Sequence, residues 1–149
     1  MDNIAIIIPT YNELDNIEKL VKEIKKNVPK CSIFIVDDSK KNDIGKLIVN
    51  KNIKAKYFHR KKKYGRGSAI VYGLKKAFKN KKNKIFIEMD ADFSHNPKEL
   101  KNNIEIFRKK KLDLLIASRY LKGSKIVNWG FSRRIFSRLS NFLARNLLQ

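Results

Sequence analysis

An α/β fold with a mostly parallel sheet follows from three features of this sequence. Short apolar runs alternate with segments of helical spacing. The links between them are only a few residues long. Unusual polar residues gather just after the apolar runs. Strand and helix in alternation, closely linked, form a parallel sheet with helices on both faces. The chain of 149 residues suits one domain, taken over 1–149, with enough length to bury a core.

The run IAIIIP (4–9) has no polar alternation. It reads as a strand buried on both faces and ended by Pro9. Ile17, Leu20, Val21, Ile24 and Val28 follow at helical spacing along one face. CSIFIVDD (31–38) reads as a second strand, DIGKLIVN (43–50) as a short helix and IKAKYFH (53–59) as a third strand. After KKKYGRG, the residues Ile70, Val71, Leu74, Ala77 and Phe78 mark another amphipathic helix, and KIFIEMD (84–90) a fourth strand. Asn96 then suits a helix cap, Pro97 the first turn, and Glu99 the acid position of a capping box. Leu100, Ile104 and Phe107 supply the buried face of that helix. DLLIAS (113–118) reads as a fifth strand, and 132–148 as a basic amphipathic helix. No repeat, linker or domain boundary interrupts the pattern.

Lys and Arg number 35 against 14 acids, a net charge of +21. Such an excess favours an anionic partner: nucleic acid, a lipid surface or a phosphorylated substrate. Much of it lies in runs such as RKKK (60–63) and KNKKNK (79–84), which read as solvated turns and helix ends. A single cysteine, Cys31, excludes an intramolecular disulfide and a multi-cysteine zinc site, and fits a reducing compartment. MDNIAIIIPTYNE lacks the basic start of a signal peptide. No apolar stretch approaches the roughly 20 residues that span a bilayer.

In open α/β sheets, ligands bind outside the carboxyl ends of the strands. The expected strand ends carry Pro9-Thr10-Tyr11-Asn12-Glu13, Asp37-Asp38-Ser39, Asp90-Ala91-Asp92 and Ser118-Arg119-Tyr120. Four such endings on one edge describe a site. Residues i and i+2 of an extended segment point the same way, so Asp90 and Asp92 suit a hard divalent cation such as Mg²⁺ or Mn²⁺. The plainer alternative is a pair of turn acids, one capping a helix. KKYGRGSA (62–69) sets two glycines before a helix. That arrangement serves either a phosphate approached by backbone N–H groups or a plain turn. Of the two histidines, His59 and His95, the second reads as a turn residue beside the acids. A nucleic-acid module would explain the charge but not the acids at the strand ends, which repel phosphate backbone.

These residues resemble those of the family 2 glycosyltransferases, and more narrowly the polyprenol-phosphate sugar transferases of the dolichyl-phosphate mannose synthase type. The resemblance rests on IIIPTYNE (6–13), IVDDS (35–39), GRGSA (65–69), MDADFSHNP (89–97), ASRY (117–120) and WGFSRRIFSR (129–138), in the family's order. It implies a GT-A fold, a Rossmann-like nucleotide-sugar-binding sandwich. Pro9, Tyr11, Glu13 and Asp37 would then line the nucleotide pocket, with Asp38 and the Gly65–Gly67 loop nearby. Asp90 and Asp92 would hold Mg²⁺ or Mn²⁺ on the donor diphosphate. Arg119, Arg133 and Ser137 would contact the lipid phosphate, with Arg119 counted among the catalytic groups beside the two aspartates. Ser94 stands where some relatives carry Gln, which leaves the third metal ligand open.

The implied reaction transfers a sugar from a nucleotide-sugar donor, GDP-mannose foremost, to a polyprenyl or dolichyl phosphate. It would run at an anionic membrane surface, peripherally, on the cytoplasmic face, with no specific nucleic-acid partner. UDP-glucose is the alternative donor. A non-catalytic basic module binding nucleotide or nucleic acid is the alternative function. Relatives continue past the point where this chain stops, so the chain is expected to lack the C-terminal part of the domain.

Overall fold

The computed structural model describes residues 3–118 and 130–147, with backbone alone at 133 and 134. They fall into two compact units, Met1–Leu112 and Asp113–Gln149. The first runs β1 (Asn3–Thr10), α1 (Leu14–Asn27), β2 (Ser32–Asp37), α2 (Asp43–Asn50), β3 (Lys56–His59), α3 (Arg66–Phe78), β4 (Asn83–Glu88) and α4 (Leu100–Lys109). The second contains α5 (Phe131–Leu147).

Among the described residues the sheet has four strands, all parallel, in the order β3-β2-β1-β4. Parallel strands need crossovers, and these put helices on both faces. Alternation along β1 sorts its side chains. Ile4, Ile6 and Ile8 join Ile33 and Ile35 of β2 under α1, α2 and α4. Ala5, Ile7 and Phe34 point the other way, with Ala77 of α3. The helices present the matching stripe: Ile17, Leu20, Val21 and Ile24 of α1, and Leu100 and Ile104 of α4, are buried. On the opposite face Gly73 lets α3 approach closely, since a Cβ there would lie 2.6 Å from Ile7 Cγ2.

Asn96 accepts a hydrogen bond from the Lys98 N–H (3.1 Å) and starts a 3₁₀ turn at Pro97–Glu99 that leads into α4. The fifth strand expected over 113–118 is not formed. This segment has no regular structure, and Leu114 and Ile116 are exposed. An apolar run becomes a strand only when a neighbouring backbone supplies hydrogen-bond partners. Here the segment opens the second unit and joins no ladder with a described strand.

The strand order reverses direction between β1 and β4. That is where open α/β sheets bind ligands, and Pro9 opens the crevice. The Met89 N–H donates to the Ile7 carbonyl (3.1 Å), and the next rung would need a donor from residue 9. Proline has none. The β1–β4 ladder accordingly ends at Ile7–Glu88, and the two chain segments part.

Candidate active site

A cleft of about 330 Å³ occupies this crevice, lined by Pro9, Thr10, Tyr11, Glu13, Asp38, Lys63, Gly65, Arg66, Ala69, Asp90, Ala91 and Asp92. The endings of β1, β2 and β4 and the glycine turn, far apart in sequence, thus line one cleft. A second hollow of about 450 Å³ adjoins it on the β1–β2 side, sharing Tyr11 and including Asn12, Ser39, Lys40 and Lys41. Within the first cleft Thr10 Oγ1 is buried with no hydrogen-bond partner among the described residues. A buried hydroxyl left unsatisfied is costly unless something completes it.

The loop after β1 turns sharply at Asn12, whose φ is 60°. Asparagine tolerates this left-handed geometry. The Asn12 N–H donates to Ser39 Oγ (2.8 Å), tying the β1 loop to the β2 loop. Tyr11 is half-exposed at the mouth, with the Lys63 ammonium 4.1 Å from its ring centre.

Asp37 and Asp38 face opposite ways, as successive residues of an extended chain must. Asp38 turns toward α3. Its carboxylate receives both Arg60 Nε (2.6 Å) and Arg60 Nη2 (2.7 Å), and the Tyr64 N–H (3.0 Å). Arg60 also donates to Ser68 Oγ (2.8 Å). The glycine turn is thereby fastened to the end of β2. Asp37 turns toward α2 and is fully buried. It accepts from the Ser39 N–H (2.9 Å), Ser39 Oγ (2.5 Å) and Tyr57 OH (2.8 Å). The expectation that Asp37 lines the nucleotide pocket meets a different arrangement: its carboxylate is enclosed, and its neighbour reaches the cleft. Burial raises the Tyr57 phenol well above its ordinary range, helped by the hydrogen bond to Asp37.

Gly65 has φ 87° and ψ 158°, a region open essentially to glycine alone. It precedes α3, whose first-turn N–H groups have no side-chain cap. Gly67 lies one residue inside α3, and a Cβ there would meet nothing within 4 Å. It is not among the lining residues of the cleft.

The acids after β4 stand on the other wall. The Asp90 N–H donates to His95 Nδ1 (3.1 Å), so His95 shapes the turn beside the acids. Asp92 accepts from the Ser94 N–H (2.9 Å). Burial works against its charge, but the backbone and side-chain hydrogen bonds from Ser94 outweigh it and hold the carboxyl below its ordinary range. Phe93 between them takes a φ of 60°, costly for an aromatic residue, and packs against the core. Arg66 Nε donates to Asp90 Oδ1 (2.9 Å), and its Nη2 pairs with Glu88. Partial burial opposes the guanidinium charge, yet the bond to Asp90 and the charges of Asp90, Glu88 and Asp92 keep it above its ordinary value.

Among the described residues no three His, Cys, Asp or Glu side chains gather as a complete metal cage. The donor set fits a hard cation nonetheless. Asp90 and Asp92 share the cleft, and Mg²⁺-type ions take one or two carboxylates and complete their shell with substrate phosphates and water.

The model of the family described as glycosyl transferase family 2 matches residues 5–149. The chain belongs to this family. Polyprenol monophosphomannose synthase of Mycolicibacterium smegmatis is 32% identical, over 96% of this chain and 55% of its own length. Dolichol-phosphate mannosyltransferase of Pyrococcus furiosus is 34% identical, over 91% and 38%. Undecaprenyl-phosphate mannosyltransferase of Micrococcus luteus is 31% identical, over 97% and 60%. The chain thus spans between 38% and 60% of the length of these relatives.

Among solved structures, S. aureus TarS 1-349 in complex with UDP superposes with a TM-score of 0.61 at 22% identity, over 83% of this chain and 38% of that one. The mannosyltransferase PcManGT from Pyrobaculum calidifontis, in complex with GDP-Man and Mn²⁺, gives 0.54 at 18%, over 70% and 32%. The family 2 domain accordingly has the GT-A fold that its motifs implied.

Of the other expected site residues, Arg119 lies outside the described residues and Arg133 is described by its backbone in α5 alone. Ser137 is on α5, in the second unit. Arg60 and Arg66 were not singled out in the sequence: Arg60 opens the run RKKK (60–63), which reads as solvated, and Arg66 stands inside the glycine turn, where the two glycines carried the reading. One signal was available: they are arginines, one shortly before the glycine turn and one between its two glycines, in a chain whose basic runs are mostly lysine.

No described helix is long and apolar enough to cross a membrane. Phe131, Ile135, Phe136, Leu139, Phe142, Leu143 and Leu147 of α5 are all exposed.

Proposed function

We propose that this family 2 domain transfers mannose from GDP-mannose to a polyprenyl phosphate, with Mg²⁺ or Mn²⁺, at a membrane surface. The observation that carries the reading is the convergence of Tyr11, Glu13, Asp38, Gly65, Asp90 and Asp92 on one cleft at the β1–β4 crevice. The names of the mannosyltransferase relatives favour mannose and a polyprenol-type acceptor.

In this reading Pro9, Tyr11 and Glu13 hold the nucleoside, and the hollow beyond Tyr11 gives it room. Asp37 acts by positioning: it braces Ser39, which fixes the loop at Asn12. Asp38, through Arg60, sets the glycine turn against the diphosphate. Asp90 and Asp92 hold the cation, which would neutralise the charge growing on the departing diphosphate. The acceptor is a phosphate monoester with a second pKa of about 6. It is already ionised at neutral pH, so the nucleophile needs no general base from the protein. Arg119, Arg133 and Ser137 are assigned to the lipid phosphate, for which the planar guanidinium fork is suited. The exposed apolar face of α5, on a helix whose sequence also carries Arg133, Arg134, Arg138 and Arg145, is assigned to the membrane interface, where apolar burial and anionic headgroups act together. Residues 1–149 would belong to the GT-A catalytic domain of the enzyme.

The test is a donor screen. GDP-mannose and UDP-glucose are each supplied with a polyprenyl phosphate and Mn²⁺, donor binding is measured by calorimetry, and sugar-lipid is detected by mass spectrometry. Mannosyl lipid and preferential, Mn²⁺-dependent binding of GDP-mannose are expected. Failure to bind any nucleotide sugar in the presence of metal would overturn the reading. A UDP-glucose preference would replace the donor and leave the site intact.

A further inference from the structure

We propose that Arg66 makes cation binding at the strand-end acids conditional on the arrival of the donor diphosphate. The inference rests on the reading of Asp90 and Asp92 as cation ligands. Arg66 opens α3, directly after Gly65, whose φ is 87°. Its Nε–H lies on Asp90 Oδ1 at 2.9 Å, and its Nη2 on Glu88. On the other side of the carboxylate, His95 Nε2 is 3.9 Å from Asp90 Oδ2. A guanidinium therefore occupies one of the two carboxylates assigned to the cation.

Arginine stays protonated across the accessible pH range, so this competitor is permanent. It is also displaceable. The Arg66 and Asp90 side chains are 53% and 30% exposed, and exposed ion pairs change a binding constant by no more than about fivefold. Arg66 lines the same cleft as Gly65, Asp90 and Asp92. A diphosphate held there offers its fork a doubly charged, bidentate partner in place of the two partly exposed carboxylates of Asp90 and Glu88. Without diphosphate, a cation must displace the guanidinium or sit beside it, like charge against like. With diphosphate, the guanidinium turns to phosphate oxygen and Asp90 is released to the metal. Diphosphate and cation then promote each other's binding by the same factor, as linkage requires.

The experiment titrates Mn²⁺ into the whole chain and follows free Mn²⁺ by electron paramagnetic resonance, with and without GDP. Wild type, Arg66→Gln, Arg66→Lys and Asp92→Asn are compared, and melting curves verify folding. Arg66→Gln is expected to bind Mn²⁺ on the order of fivefold more tightly in the absence of GDP, and to lose a similar factor of GDP-induced tightening. Arg66→Lys, which keeps the charge without the fork, is expected to fall between. Unchanged or weaker Mn²⁺ binding by Arg66→Gln, with binding still abolished by Asp92→Asn, would overturn the conditional role alone. Mn²⁺ binding that ignores Asp92→Asn as well would overturn the cation site on which the inference rests.

Discussion

Replacing Arg60 with alanine removes the clamp between β2 and the glycine turn. Arg60 and Asp38 are only 9% and 5% exposed, so neither group is much relieved by water. Loss of the guanidinium takes two charged hydrogen bonds from Asp38, at 2.6 and 2.7 Å, and one from Ser68 Oγ, at 2.8 Å. The carboxylate keeps the Tyr64 N–H at 3.0 Å among its described partners. Breaking a buried pair by removing one partner costs about 3–5 kcal/mol, mostly through the uncompensated charge left behind. The melting temperature should fall by more than about 10 °C. Urea unfolding followed by circular dichroism measures the loss directly. The paired change Arg60→Met with Asp38→Asn removes both charges and should recover most of it, which separates stranded charge from lost packing. A loss below about 1 kcal/mol for Arg60→Ala, or a double variant no better than the single, would refute the reasoning.

Asp92→Asn should leave the melting temperature within a few degrees while abolishing the Mn²⁺-dependent part of GDP-mannose binding, read by calorimetry with and without metal. Tyr57→Phe should cost about 1–2 kcal/mol in urea unfolding, through the loss of the hydroxyl held between Asp37 and Asn42. The folded protein also holds that phenolic proton more tightly than the unfolded chain. Its contribution is complete below the unfolded value near 10 and declines as pH rises through the raised folded one; unfolding at pH 9 and 11 should show a smaller decline in Tyr57→Phe than in wild type. Co-sedimentation with anionic vesicles at low salt should exceed that with neutral ones, and Arg134→Glu and Arg138→Glu should weaken it. Binding indifferent to salt, lipid charge and both substitutions would leave α5 without a membrane role.

How far the sequence revealed this molecule depends on what each residue must do alone. The helices at 43–50 and 131–147 were legible because apolar spacing is a property of one segment. DLLIAS was not, since a strand exists only with a partner and the sequence does not name one. The acids of the cleft were legible as acids at strand ends. Which of Asp37 and Asp38 faces the cleft was not, because neighbouring strand residues point oppositely and register decides between them. Arg60 and Arg66 were hidden for a related reason. A charge in a turn or basic run reads as solvated until the fold sets a carboxylate opposite it, buried for Arg60 and partly exposed for Arg66.

The missing donor at Pro9 also bears on how fast a ligand can be accommodated. Many crevices must be prised open, and the work of breaking backbone hydrogen bonds then slows binding and subtracts from affinity. Here the rung that would have closed β1 against β4 has no proton to give, because the nitrogen of Pro9 is part of its ring. The gap is written into covalent structure. It does not depend on the side chains around it, and a molecule binding in this crevice would meet strands already parted at that rung, with that part of the ordering cost removed beforehand.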